Sequence, residues 1–220
     1  MNSTRISALL EPFLKGPLCA DQLNQISIYI DLLQRWNARI NLTAIRTEEE
    51  IVTRHFGESL FLAQQLSLTS NWRPATGTRV LDIGSGAGFP ALPLKIWAPE
   101  IHLTLIESNN KKSAFLKEVS RALTFTNINV ISERAEDISA RPDRPQAEVV
   151  TLRAVEHLEA IFPQALKFLA GQSTLALLIG ASQLPKLIPK TSLTWRTPIP
   201  IPNSSARVLL LGSLQQGRDK

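Results

Sequence analysis

Between residues 79 and 179, short apolar runs alternate with segments of helical periodicity, and this alternation restricts the fold more than any other feature. Strands are predicted at 79–83, 101–106, 128–132, 148–152 and 175–179. Helices are predicted between them at 91–97, 110–123 and 154–169. Because helices separate the strands, we expect a mainly parallel sheet that is covered on both faces. Two further runs, 193–197 and 207–211, predict a final antiparallel pair and a seven-stranded α/β fold.

The first 75 residues lack this alternation and are predicted to be helical. One apolar face is formed at spacings of three and four by Leu23, Ile26, Ile30, Leu33 and Trp36. The segment 37–43 interrupts the pattern, and a second helix is predicted after Thr47, where Glu50 completes a capping box. Turn residues at 70–77 indicate a linker. We therefore expect a helical N-terminal extension over 1–75 and a ligand-binding α/β domain over 76–220.

Charge and composition narrow the class of protein. The net charge is +5, and residues 151–220 carry eight basic against three acidic residues. Such a surface attracts a polyanion, although a solubilising excess explains the charge equally well. The single cysteine, Cys19, and three scattered histidines do not fit a zinc site, so no metal is expected. The apolar runs are too short to span a membrane and the N-terminus is unlike a secretory signal, so we expect a cytoplasmic protein.

The loop after the first predicted strand carries the clearest chemical signal. It reads LDIGSGAGFP, with glycines at Gly84, Gly86 and Gly88. A dinucleotide-binding fingerprint requires a glycine where Phe89 stands, so that motif does not fit. The pattern Asp-x-Gly-x-Gly-x-Gly is instead that of class I methyltransferases, Rossmann-like enzymes that bind S-adenosylmethionine. In this interpretation Asp82 orients the loop and the ammonium group of the ligand.

Two acidic positions at later strand ends support the same interpretation. Glu107 ends the second strand, where a carboxylate accepts hydrogen bonds from ribose hydroxyls in nucleotide-binding folds. The segment 134–137 follows the third strand, at the usual position of the adenine. Each signal is weak alone, but together, in order and at strand ends, they predict a class I methyltransferase.

At this point the chain resembles the RsmG methyltransferases, also called glucose-inhibited division protein B. Residues 36–46 (WNARINLTAIR) resemble the WN-x-x-x-NLT-x-x-R signature of that family. Further matches are Arg54-His55 with Ser59, Phe89-Pro90, Glu107-Ser108, Lys111-Lys112, Phe115-Leu116, Arg134, Glu136, Arg153-Ala154 and Arg207. The similarity runs from about residue 33 to residue 207.

The resemblance implies methyl transfer from S-adenosylmethionine to N7 of one guanine in bacterial 16S rRNA, with the small ribosomal subunit as partner and a monomeric protein. Carried over, the cofactor residues are Asp82, Gly84, Gly86, Gly88, Phe89, Glu107, Ser108, Ala135, Glu136 and Arg153. The residues expected around the guanine are Asn41, Arg46, His55 and Arg207. Arg153 and Arg134 are the candidate catalytic residues, with Arg153 expected to touch both ligands.

Four positions depart from the family pattern, and two other functions stay open. Glu58 stands where Asp is usual, Ala91 replaces Gly, Leu152 replaces Ser, and Ile179 replaces a frequent Lys. One alternative is a methyltransferase with a small-molecule or protein acceptor, which predicts no salt-dependent RNA binding. The other is a catalytically silent RNA-binding assembly factor, which predicts RNA binding without turnover of S-adenosylmethionine.

Overall fold

A computed structural model describes residues 1–69, 77–153, 158–187 and 193–214. Its α-helices are α1 Ser3–Leu10, α2 Ala20–Ile40, α3 Glu48–Glu50, α4 Glu58–Thr69, α5 Ala91–Trp97, α6 Asn110–Ala122, α7 Ala135–Ser139, α8 Leu158–Lys167 and α9 Leu184–Leu187. Its strands are β1 Arg79–Ile83, β2 His102–Ile106, β3 Ile128–Ile131, β4 Ala147–Arg153, β5 Leu169–Gly180, β6 Leu193–Trp195, β7 Ile199–Pro200 and β8 Arg207–Leu214. Residues 70–76 of the linker predicted at 70–77, and the predicted helix start at Ala154, lie outside the described residues.

The strands form one mixed sheet in the order β3-β2-β1-β4-β5-β8-β6. Strands β1 to β5 are parallel, and β8 is antiparallel to both β5 and β6. This confirms the predicted α/β class and the seven-stranded path, to which the two-residue β7 adds a short pairing with β8. The chain moves outward in one direction from β1 and in the other from β4. The crevice for a ligand is therefore expected at the carboxyl ends of these two strands.

Apolar cores cover both faces of the sheet, as its continuous apolar strands require. Side chains of neighbouring residues alternate between the faces, so Val80 joins one core and Leu81 the other. The first core contains residues of α1, α2, α4, α5 and α6, and the second contains residues of α7 and α8. The N-terminal helices thus pack on the same face of the sheet as α5 and α6.

Helix α2 confirms the predicted apolar face but extends further than predicted. Ile26, Ile30 and Leu33 are fully buried. The helix continues through Asn37 to Ile40 and ends at Asn41, whose φ of 46° is left-handed. The prediction that the helical pattern is interrupted at Asn37 was wrong. The Asn37 side chain instead accepts a hydrogen bond from the Thr43 backbone N–H at 3.0 Å. Asn37 thereby stabilises the loop after the helix without ending the helix.

The second N-terminal helix begins where the capping box predicted. The Thr47 side chain accepts a hydrogen bond from the backbone N–H of Glu50. Between α3 and α4 the backbone forms a π-helix, Ile51–Gly57, which the sequence pattern did not indicate. π-helical turns are rare and frequently occur at functional sites. This one carries Arg54 and His55, which belong to the site described below.

Candidate active site

The glycine loop at the carboxyl end of β1 adopts a backbone that favours glycine. The φ angles of Gly84, Gly86 and Gly88 are 70°, 55° and 88°. The backbone N–H groups of Gly84 and Ser85 both donate to the Ile106 carbonyl, at 2.9 and 3.1 Å. These bonds fasten the loop to the end of β2.

Glu107 holds the loop with its side chain. One carboxylate oxygen accepts the Gly86 backbone N–H at 2.8 Å, and the other accepts the Asn109 N–H at 2.8 Å. Each oxygen has a further lone pair, so the side chain retains acceptor capacity for ribose hydroxyls. The carboxyl ends of β1 and β2 are thus joined through the residue that was predicted to bind ribose.

A cavity of about 490 Å³ lies beside this carboxylate. Its volume is within the range of small-molecule sites, roughly 300–1,000 Å³. It is lined by Ile83, Gly84, Ile106, Glu107, Ser108, Lys112, Glu133, Arg134, Ala135, Glu136, Ala160 and Ile161. The structure therefore brings together six residues assigned from the sequence: Gly84, Glu107, Ser108, Arg134, Ala135 and Glu136. Arg134 lies here as an exposed residue before α7, and Arg153 is not among the lining residues.

Two observations test whether S-adenosylmethionine fits this region. A Cβ built on Gly84 meets no described heavy atom within 4 Å, so space is open beside the loop. Asp82 is 1% exposed, and its Oδ1 accepts the Thr151 hydroxyl at 2.5 Å. Its Oδ2 has no hydrogen-bond partner among the described residues. Burial raises the pKa of Asp82 to about 7, against the effect of the Thr151 hydrogen bond. The unpartnered Oδ2 can accept a hydrogen bond from an ammonium group, directly or through water, but Asp82 is not among the residues that line the cavity.

An aromatic stack surrounds Phe89, at the end of the glycine loop. The Tyr29 ring lies parallel to the Phe89 ring at 5.2 Å and 4°, and the His55 ring stacks on Phe89 at 4.4 Å and 11°. Phe56 meets Phe89 edge to face at 5.2 Å. The predicted cofactor residue Phe89 is thus in direct contact with residues of the N-terminal helical segment.

Tyr29 also fixes the backbone of the glycine loop. Its hydroxyl donates to the Ala87 carbonyl at 2.5 Å, and the side chain is fully buried. A Cβ built on Gly88 would lie 2.3 Å from that hydroxyl oxygen and 2.5 Å from Leu92 Cδ1. Glycine at position 88 is therefore required both by the backbone angle and by the close approach of Tyr29.

Arg153, at the carboxyl end of β4, is surrounded by partners from the N-terminal segment. Its Nη1 donates to His55 Nδ1 at 2.9 Å, and its Nη2 donates to the Arg54 carbonyl at 2.5 Å and to Glu58 Oε2 at 3.1 Å. The guanidinium carbon lies 6.0 Å from the Phe89 ring centre. Both terminal nitrogens of Arg153 thus donate hydrogen bonds to other groups of the protein.

Glu58 connects Arg153 to Arg207. Its other oxygen, Oε1, lies 2.5 Å from Arg207 Nη1, and its side chain is 2% exposed. Burial raises the pKa of Glu58, and the two guanidiniums oppose that rise. We refer to His55, Glu58, Arg153 and Arg207 as the buried ionic cluster. It gathers three residues that were assigned from the sequence and one, Glu58, that was noted only as a departure.

His55 is neutral in this cluster. Because Arg153 donates to Nδ1, the ring proton lies on Nε2, which is 2.8 Å from Thr43 Oγ1. Burial first, and then the charges of Arg153, Arg54 and Arg207, lower the pKa of His55 to about 2. This histidine is therefore poorly suited to accept a proton near neutral pH.

Asn41 and Arg46, which were predicted to lie around the guanine, connect to the cluster through the loop after α2. Arg46 Nη2 donates to the Asn41 side-chain oxygen at 3.2 Å, and Arg46 Nη1 donates to the Asn37 carbonyl at 3.4 Å. Thr43, in the same loop, contacts His55. The signature segment 36–46 thus forms one hydrogen-bonded unit beside the buried ionic cluster.

Three of the four departures from the family pattern are apolar and buried. Ala91, Leu152 and Ile179 are at most 4% exposed and belong to the cores. Ile179 pairs with Val208 between β5 and β8, next to the pairing of Gly180 with Arg207. Among the four, Glu58 alone belongs to the polar part of the site.

Sequence reasoning missed two site residues, Tyr29 and Thr151. Tyr29 is the only tyrosine of the chain and lies on the apolar face of α2. A buried tyrosine usually finds a hydrogen-bond partner, so its hydroxyl was a usable signal. Thr151 is a hydroxyl within the apolar strand β4, which is the corresponding signal for the partner of Asp82.

Two further findings concern the described part of the chain. Within it, His, Cys, Asp and Glu side chains form no group of three or more that is suited to hold a metal ion. None of its helices combines the length and apolar character needed to cross a membrane.

Solved structures of low sequence identity share the fold. A ribosomal protein L11 methylase from Lactobacillus delbrueckii subsp. bulgaricus superposes with a TM-score of 0.57 and 16% identity, over 73% of this chain and 80% of that one. P. horikoshii TYW2 in complex with MeSAdo superposes with a TM-score of 0.55 and 15% identity, over 74% of this chain and 63% of that one. These likenesses confirm the Rossmann-like methyltransferase fold.

Sequence relatives are more similar. Ribosomal RNA small subunit methyltransferase G of Roseiflexus castenholzii is 47% identical over 141 residues, 64% of this chain and 57% of that protein. The protein of the same name from Chloroflexus aggregans is 44% identical over 154 residues, 70% of this chain and 62% of that protein. The matched segments thus span about 57–62% of these relatives. A family model described as rRNA small subunit methyltransferase G matches residues 22–192, and the chain belongs to this family.

Proposed function

We propose that this chain transfers a methyl group from S-adenosylmethionine to N7 of a guanine in 16S rRNA of the bacterial small ribosomal subunit. The main observation in support is the position of the loop 84–89, a short segment that borders two different sites. Gly84 lines the cavity suited to the cofactor, and Phe89 contacts the buried ionic cluster. Family membership supports the choice of RNA as acceptor.

The cavity side of the loop would hold the cofactor. Glu107 would accept the ribose hydroxyls, Ser108, Ala135 and Glu136 would flank the adenine, and Asp82 would face the ammonium group. When bound, S-adenosylmethionine supplies an electrophilic methyl group on a sulfonium. We propose residues 76–220 as the domain that binds it and residues 1–75 as the helical extension that completes the acceptor side.

The acceptor side fits a nucleophile that needs no general base. Guanine N7 carries an unprotonated lone pair, so the protein has to align the base and exclude water, which is catalysis by proximity. The neutral His55, with its lowered pKa, agrees with this absence of a base. Since both terminal nitrogens of Arg153 are engaged, we propose that its guanidinium face stacks on the flipped guanine.

The RNA backbone would contact the basic residues beside the buried ionic cluster. Arg54 is exposed, Arg207 keeps 26% of its side chain exposed, and Asn41 with Arg46 lies on the adjacent loop. Arginines at such a surface bind phosphates and release counterions, so RNA affinity falls with rising salt. Ribosomal RNA as substrate implies action in the cytoplasm.

The experiment offers the protein labelled S-adenosylmethionine with small-subunit RNA, small-subunit particles and a whole-cell protein extract as competing acceptors. The proposal predicts label in RNA, and RNA affinity that decreases with salt. Label in protein alone would refute it in favour of another methyl acceptor. Salt-dependent RNA binding without any transfer would indicate a silent assembly factor.

A further inference from the structure

Glu58 pairs with two arginines at the centre of the buried ionic cluster. Arg153 comes from the end of β4 and Arg207 from the start of β8, on the far side of β5. One oxygen of Glu58 lies 3.1 Å from Arg153 Nη2, and the other lies 2.5 Å from Arg207 Nη1. A single carboxylate from the helical segment thus joins two arginines on different strands.

The two arginine side chains that pair with Glu58 are partly shielded from water. The Arg153 and Arg207 side chains are 10% and 26% exposed. Removal of one partner from a buried ion pair leaves an uncompensated charge, and the remaining partner moves toward water or toward another anion. Without Glu58, the two guanidiniums also repel each other and the nearby Arg54.

We propose that Glu58 is a positioning residue, which orients Arg153 under the target base and Arg207 toward the RNA backbone. This inference rests on the proposed function. Glu58 holds one guanidinium edge of each arginine, and Arg207 Nε donates to Ser204 Oγ at 3.2 Å. The face of Arg153 and the Nη2 group of Arg207 then remain for the RNA. It acts through the arginines and does not itself contact the cofactor or the base.

The length of the side chain is part of this role. Aspartate is shorter by one C–C bond, about 1.5 Å. Its carboxylate keeps the charge but cannot reach both guanidiniums without a shift of α4 or of the strands. Glu58→Asp therefore keeps the charge and shortens the side chain, whereas Glu58→Gln keeps the size and removes the charge.

The test compares these two variants with Glu148→Gln as the matched control. Glu148 lies on the same strand as Arg153, at its opposite end, and forms an exposed pair with Arg79. For each protein we would measure kcat and KM for small-subunit RNA, the Kd for S-adenosylmethionine and the Kd for RNA, at a temperature where circular dichroism shows a folded chain.

For Glu58→Gln we expect kcat/KM for RNA to fall by about tenfold or more, as for loss of one partner of a desolvated charge pair at a binding site. The Kd for S-adenosylmethionine should stay within about threefold of wild type, Glu58→Asp should recover part of the loss, and Glu148→Gln should match wild type. A purely structural role would lower the melting temperature and leave kcat and KM of the folded protein unchanged, which would overturn the inference.

The outcomes separate this inference from the proposed function. If wild-type protein binds RNA but transfers no methyl group, the proposed function is wrong, and the RNA Kd of Glu58→Gln then decides the inference by the same tenfold criterion. If wild-type protein neither binds nor methylates RNA, both are wrong.

Discussion

Replacement of Gly88 by alanine tests the close packing between the glycine loop and the N-terminal helix. An alanine at φ 88° carries left-handed strain of roughly 1–2 kcal/mol. Its Cβ would also lie 2.3 Å from the Tyr29 hydroxyl oxygen and 2.5 Å from Leu92 Cδ1. Such overpacking costs about 1–3 kcal/mol more. We therefore expect Gly88→Ala to lower the free energy of unfolding by about 2–5 kcal/mol.

Gly77→Ala is the matched control. Gly77 has a φ of 91°, and a Cβ there meets no described atom within 4 Å. It should show the strain alone, about 1–2 kcal/mol. The assay is equilibrium urea unfolding at 25 °C, with both transitions tested for two-state behaviour. Equal losses for the two variants would refute the argument, because the contact with Tyr29 would then have no energetic consequence.

Three further predictions concern the cofactor loop and the buried histidine. Gly84→Ala points a methyl group into open space, so it should lose little more stability than Gly77→Ala but weaken S-adenosylmethionine binding by about tenfold or more in calorimetry; unchanged affinity would place the cofactor elsewhere. Tyr29→Phe removes only the hydroxyl bonded to the Ala87 carbonyl, and should cost about 1–3 kcal/mol of stability in urea unfolding; no loss would make that hydrogen bond irrelevant. The pKa of His55 is about 2 in the folded chain, against an ordinary value of 6.5. At a pH between these two values, His55 therefore binds a proton only in the unfolded chain. Stability therefore falls as pH falls, and wild type should lose about 1.4 kcal/mol per pH unit more than His55→Gln between pH 5.5 and 4; parallel pH dependences would contradict the buried neutral ring.

Local features of the sequence were sufficient to predict much of the fold of the sheet domain. The parallel strands, the Asn109 cap of α6 and the glycine loop each depend on residues within one turn or one strand. The end of α2 was misjudged because Asn37, a weak helix former, bonds forward to Thr43 from inside the helix. Such a compensating bond depends on the conformation of the following loop, which periodicity does not reveal.

The partners within the site were harder to predict because they are distant along the chain. Arg153 bonds to His55, 98 residues away, and Tyr29 bonds to Ala87, 58 residues away. The family motifs marked Arg153 and His55 separately, but not their contact. The role of Glu58 required the positions of both arginines, and its assignment as an RNA-positioning residue remains a prediction.

The central claim is methyl transfer to guanine N7 of small-subunit rRNA, and nucleoside analysis of the product tests it most directly. Small-subunit particles from cells that lack this modification would be incubated with the protein and S-adenosylmethionine, and the RNA would be digested and mapped by mass spectrometry. The account predicts 7-methylguanosine at a single site in 16S rRNA. A methyl group on another atom or base, or RNA that acquires no methyl group although the protein binds S-adenosylmethionine, would contradict it.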